Sequence, residues 1–197
     1  MVTSGCPGSA SGINMQKKKQ VLKYTVFKIE PGKINYRSDE SWMGICATKK
    51  GISLLVLPRS TKEEVLELIK SSAGESQIEE SPQDFENLRK NIENYFAGKK
   101  AEFDYTIDLS RYTPFQSAVF TATRAIPYGE TRSYRWVAKK SGNPKGYRAV
   151  GQALKINSIP LLVPCHRVIE QNGKIGGFSL GIKWKERLLQ LEGVLLT

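Results

Sequence analysis

Cys165 stands directly before His166, the single histidine of the 197-residue chain. A thiol becomes a strong nucleophile when it loses its proton, and a neutral imidazole can receive that proton near neutral pH. With one imidazole, sites needing two histidines are excluded, and any cysteine–histidine chemistry belongs to this pair. Neighbours in an extended segment project to opposite faces, so the expected route from sulfur to imidazole runs through a water. A third group should orient the imidazole, and the carboxylates within residues 111–197 are Glu130, Glu170, Glu186 and Glu192. Glu192 closes an apolar helix containing Trp184, Leu188, Leu189 and Leu191, just before Gly193. The helix dipole disfavours an anion there by about 0.3–1 kcal/mol, which suggests a specific partner, although an exposed glutamate bears this cost easily. The competing reading of Cys165 is an inert core residue, delivered by the apolar run from Ile159 to Pro164.

Local signals show which elements must deliver these residues. Residues 1–20 are small, polar and then basic, and are expected to form a disordered leader in which Met15 is another conceivable start. Segments 21–29, 42–48 and 52–57 are rich in β-branched and aromatic residues, and Lys50-Gly51 offers a tight turn, so a small antiparallel sheet is expected. Thr61 with Glu64 forms a capping box ahead of Val65, Leu66 and Ile69. Ser81-Pro82 opens a second helix with Phe85, Leu88, Ile92 and Tyr95 on one face, and Gly98 stops it. Residues 99–112 lose periodicity and read as a connection. Beyond it Thr113 and Pro114 start a helix burying Phe115, Val119 and Phe120, which ends before Pro127.

Ser133 caps a helix over 134–140, Gly142-Asn143-Pro144 breaks the chain, and a helix over about 146–156 buries Tyr147, Val150 and Leu154. Two short helices across a tight turn suggest a helix-turn-helix. The other face of its second helix carries Arg148, Gln152 and Lys155 beside Ala149 and Ala153, small residues that permit close approach to a groove. An ordinary amphipathic helix with a solvated face gives the same pattern.

Composition narrows the partner. With 40% hydrophobic and 25% charged residues the chain suits one large domain or two small ones. No stretch reaches the roughly 20 apolar residues of a membrane span, and the start lacks a secretory signal, so a cytoplasmic protein, or a nuclear one in a eukaryote, is expected without membrane contact. The net charge of +11 is uneven: residues 1–110 carry 16 Lys/Arg against 15 Asp/Glu, and residues 111–197 carry 14 against 4. A basic module on a neutral partner suits a polyanion; a solubilising face is the alternative.

The string PCHRV at 164–168, preceded by GNPKGYRAVGQALKIN and followed by GKIGGFSLGIKWKERLLQLEG, resembles the O6-alkylguanine-DNA alkyltransferases, or methylated-DNA–protein-cysteine methyltransferases. The resemblance covers residues 113–195. It implies an α+β fold: a small N-terminal α/β domain, residues 21–110, structural in role, then a mostly helical C-terminal domain, residues 111–197, with the helix-turn-helix and an active-site cysteine. It implies that Cys165 accepts the alkyl group of O6-alkylguanine in double-stranded DNA, irreversibly and once per molecule. His166 would take the thiol proton through water while Glu192 holds the imidazole. Arg148 would fill the space left by the flipped nucleotide, and Tyr134 would help rotate the target phosphate and donate to guanine N3. Ser179 would donate to O6, Phe178, Val168 and Lys185 would belong to the substrate pocket, and Asn157 would be a hinge. Ala149, Gly151, Gln152 and Lys155 would face DNA. A monomer without cofactor or metal is expected, since Cys6 and Cys46 lack the histidines of the zinc site found in some members. Phe178 stands where tyrosine is frequent, and Leu180 where several members have glycine; the larger side chain is expected to narrow the pocket and favour methyl over benzyl adducts.

Three other readings compete. Alkyltransferase-like proteins bind damaged DNA without chemistry, but lack the cysteine that is present here. A helix-turn-helix regulator would bind sequence-specifically without preference for damage. A cysteine hydrolase normally draws its histidine from a distant segment, whereas the one imidazole here is the next residue.

Overall fold

The computed structural model describes residues 20–29 and 41–194. The leader up to residue 19, with Cys6 and Met15, lies outside the described residues. Six strands and six helices follow in the order β1 (Val21–Lys28), β2 (Trp42–Thr48), β3 (Gly51–Arg59), α1 (Lys62–Ala73), β4 (Gln77–Glu80), α2 (Glu86–Phe96), α3 (Pro114–Arg124), β5 (Arg132–Ser133), α4 (Tyr134–Lys140), α5 (Tyr147–Lys155), β6 (Val168–Ile169) and α6 (Ile182–Leu191). This is a mixed α+β fold. No helix among the described residues is long and apolar enough to cross a membrane.

The first sheet has the order β3-β2-β1-β4. The three expected strands pair antiparallel, with Tyr24 opposite Cys46 and Cys46 opposite Leu54. β4 adds a fourth strand parallel to β1, Val21 opposite Gln77. Its sequence, QIEE, is mostly exposed and has no apolar alternation to announce it. The central strand β2 buries Met43 to Cys46 continuously because both faces are covered. On one face α1 packs Val65 and Ile69 against Gly44, where a Cβ would come within 2.4 Å of Val65 Cγ1. On the other, Phe27, Met43, Ile45, Leu55 and Leu57 join one apolar cluster with α2 and with α3, α5 and α6. Burial of this shared face, worth about 25 cal/mol per Å² of apolar surface, binds the sheet to the helices of the second half of the chain.

Local signals set the helix starts. Thr61 accepts from the Glu64 N–H, Thr113 and Gln116 form a reciprocal capping box, and the Ser133 side chain accepts from Trp136 N–H. Pro82–Phe85 forms a 3-10 turn that runs into α2. The connection after Gly98 is more ordered than its sequence suggests. Ile52 N–H donates to Thr106 O and Asp108 N–H to Ile52 O, so residues 106–108 run along the free edge of β3. Tyr147, expected to be buried, is 42% exposed, its ring flanked by the guanidinium groups of Arg135 and Arg148 at 6.0 and 5.8 Å. As the first residue of α5 it sits beyond the apolar stripe of Val150, Ala153 and Leu154.

Candidate active site

The segment that delivers Cys165 turns repeatedly. Leu161, buried at the centre of a turn closed by Val163 N–H to Ile159 O, has φ 68, a left-handed conformation costly for a non-glycine residue. Pro164, at φ −77 and ψ 64, forms an inverse γ-turn in which Cys165 N–H donates to Val163 O at 2.7 Å. Cys165–Arg167 is then a 3-10 turn, not the extended segment expected from the sequence. The proline ring and the short Val163–Cys165 bond turn the chain there. All three side chains are buried.

Cys165 is 5% exposed and lines a cavity of about 360 Å³ together with Tyr134, Gly151, Gln152, Leu154, Lys155, Gly177, Phe178 and Ser179. Asn157, just beyond α5, donates through Nδ2 to the Cys165 sulfur at 3.1 Å and to Val163 O at 2.9 Å, while its Oδ1 accepts from Ile159 N–H. It therefore touches the Cys165 sulfur directly, a contact the expected hinge role does not include. Burial raises the Cys165 thiol pKa, opposed by the Asn157 bond and by the charge of Lys185. The resting sulfur is a thiol.

Behind it, His166 is fully buried and its Nε2 lies 2.7 Å from Glu192 Oε1. A carboxylate only accepts, so Nε2 carries the hydrogen and Nδ1 the lone pair. Burial lowers the imidazole pKa, and Glu192 only partly counters this, leaving His166 neutral. Nδ1 is the one buried side-chain nitrogen or oxygen among the described residues without a hydrogen-bond partner, and so makes no direct bond to the sulfur.

Glu192 caps α6 and is buried. Besides His166, it accepts from Arg167 Nε at 2.8 Å and the second guanidinium nitrogen at 3.0 Å, from Tyr95 Oη at 2.8 Å, and from Gly129 N–H at 3.1 Å. Burial alone would raise its carboxyl; His166 and Arg167 reverse this and hold it at about 2. Neither Arg167 nor Tyr95 was singled out for this site from sequence. Arg167 follows the Cys-His pair, and that adjacency was the available signal; Tyr95 lies 97 residues from its partner and gave none.

The other expected residues divide. Tyr134 begins α4 and donates to Gly177 O at 3.3 Å across the cavity. Ser179 and Phe178 line the same wall. Lys185 does not line it: on the inward face of α6 beside Trp184 and Leu188, it is wholly buried and donates to Val168 O at 2.5 Å and Gly177 O at 3.3 Å. Burial lowers it to about 8. Val168 likewise sits behind the wall, buried in β6. Leu180 is half-buried on the apolar cluster and absent from the lining, which removes the geometric basis for its narrowing the pocket. Arg148 and Ala149 are exposed on α5 outside the cavity, whose edge Gly151, Gln152 and Lys155 form.

Residues 114–194 match the family model described as 6-O-methylguanine DNA methyltransferase, DNA binding domain. A methylated-DNA–protein-cysteine methyltransferase of Methanosarcina acetivorans is 44% identical over 137 residues, covering 66% of this chain and 87% of that protein. One from Mycobacterium bovis is 48% identical over 111 residues, covering 56% and 67%. The crystal structure of Mycobacterium tuberculosis OGT in complex with DNA superposes with a TM-score of 0.66 at 32% identity, covering 86% of this chain and 92% of that one. A cavity floored by a cysteine, a buried imidazole behind it and this breadth of similarity agree: the chain belongs to the methylated-DNA–protein-cysteine methyltransferases.

Proposed function

We propose that this methyltransferase removes the alkyl group, chiefly methyl, from O6 of a guanine flipped out of duplex DNA, and keeps it on Cys165. The observation that carries the reading is the sulfur of Cys165 at the wall of a base-sized cavity, beside a buried imidazole with a free lone pair on Nδ1. O6 lies on the base-pairing edge, so the base must leave the stack before sulfur can approach in line with the breaking C–O bond. The thiol proton passes through a water to His166 Nδ1, the sulfur bonds to the alkyl carbon, and the C–O electron pair goes to the base. A proton returned to the base completes guanine. Lys185 beneath the site favours the thiolate as it forms, Asn157 donates to it, and Tyr134 and Ser179 donate to N3 and O6 of the leaving base. Phe178 forms the apolar wall. Arg148 enters the vacated stack, with Ala149, Gly151, Gln152 and Lys155 against the groove and phosphates, and residues 21–110 support the site. The thioether product is a poor leaving group, so each monomer reacts once.

The test is a stoichiometry. With excess duplex containing labelled O6-methylguanine, label on the protein should plateau at one methyl per chain, and Cys165→Ala should bind the duplex and acquire none. Turnover beyond one, or transfer by the alanine variant, contradicts the reading.

A further inference from the structure

Tyr95 belongs to α2, within the half of the chain expected to be only structural, yet its hydroxyl reaches the centre of the site. The ring is wholly buried and held by edge-on contacts with Phe96, Phe103 and Tyr128 at 5.6, 5.7 and 6.1 Å. That packing aims Oη at Glu192 Oε1, 2.8 Å away, with longer approaches of 3.4 Å to His166 Nε2 and Leu188 O. Oε1 therefore serves three donors, Tyr95, His166 and Arg167, whereas Oε2 serves Arg167 and Gly129. We propose that Tyr95 is a positioning residue for the alkyl transfer: its hydroxyl fixes the Glu192 oxygen that holds His166 Nε2–H, and so keeps Nδ1 as the proton acceptor.

The inference rests on the transfer reading above and adds a contribution from the amino-terminal half. The carboxylate's negative charge is shared among its donors; without the Tyr95 hydroxyl, more of it falls on the His166 bond. A stronger carboxylate partner stabilises the imidazolium, so the imidazole should titrate at higher pH. The other groups bearing on this balance are Arg167 and Tyr128 beside the carboxylate and Lys185 from α6. All remain in a Tyr95→Phe variant, which keeps the ring and removes one oxygen.

Because His166 is the only histidine, its nitrogen resonances are unambiguous in protein labelled with ¹⁵N-histidine. In the full chain the spectra should show Nε2 protonated and Nδ1 bare at neutral pH. Tyr95→Phe should move the His166 titration, and the acid limb of the single-turnover rate on O6-benzylguanine, upward by about 0.5–1 pH unit, with unchanged affinity for duplex DNA. Ile92→Val, a core change on the same helix that spares the hydroxyl, controls for lost stability and should leave both where they are. A titration that does not move in Tyr95→Phe, or moves downward, overturns the proposal, as does an equal shift in Ile92→Val. Because the spectra do not depend on transfer, a shifted titration in a protein that never accepts an alkyl group would refute the transfer reading and leave the positioning contact standing.

Discussion

At Glu192 five hydrogen bonds, two of them from the buried Arg167 guanidinium, converge on a single carboxylate. Removing one member of a buried ion pair strands the other, at a cost of about 3–5 kcal/mol. Glu192→Gln should lose roughly that much stability at pH 7, read by denaturant unfolding. The sign of its pH dependence follows from the carboxyl being held at about 2, below its ordinary 4.5. Its contribution is complete above pH 4.5 and is lost as pH falls through 2, so the gap between parent and variant should close across that window. A gap that stays constant from pH 7 to pH 2 would contradict the ion-pair account. His166 adds a loss in the same direction: buried with its pKa lowered from 6.5, it takes up its proton at lower pH than the unfolded chain does. At this scale Cys165 and His166 were legible through chemistry and adjacency, and Glu192 through its unfavourable place at the end of an apolar helix and through the family resemblance. Tyr95, whose apolar helix face looked like core, was not, nor was the burial of Lys185 behind the cavity wall.

Among the elements, α5 and the loop before α6 divide the work. α5 presents Arg148 outward and closes one side of the cavity with Gly151, Gln152, Leu154 and Lys155. On the proposed reading, Arg148→Ala should slow transfer from duplex by far more than transfer from a free base analogue, because only the duplex would require extrusion; equal losses in parallel single-turnover assays would show that Arg148 does not fill the vacated stack. The loop closes the other side and is shaped by Gly176 at φ +67, where an added Cβ would meet Tyr134 Cε2 at 3.2 Å and Glu170 Cγ at 3.3 Å. Gly176→Ala should cost about 1–2 kcal/mol in a thermal melt through backbone strain. It should also displace the Tyr134 ring and slow transfer; a variant with parental rate and stability would show that the loop tolerates the change. The caps Thr113 and Ser133 were legible because they act within one turn of chain. β4 and the 106–108 edge were not, since each is stabilised by pairing with a distant strand and carries no periodicity of its own.

For the molecule as a whole, charge and core have different distributions. The positive excess lies in residues 111–197, whereas the apolar cluster joins both halves of the chain. The β3 edge is tied next to the side chain that donates to the Cys165 sulfur: Leu55 N–H donates to Ser158 O at 2.9 Å and Ser158 Oγ to Ser53 O at 2.8 Å, one residue from Asn157. A sequence shows the charge asymmetry directly, but the shared core depends on which sheet face meets which helix. Duplex affinity should fall steeply with salt. Lys155→Ala should reduce the logarithmic slope by about 0.9, the value for one phosphate contact, while Lys70→Ala on α1 should leave it unchanged; equal effects at both positions would argue for diffuse attraction. The central claim, that this sulfur permanently captures the adduct, is tested most directly by weighing the protein after exposure to duplex O6-methylguanine and mapping the modified peptide. Replacement of one hydrogen by one methyl group, confined to Cys165, is the predicted result; an unchanged mass, or a methyl group on any other residue, would contradict it.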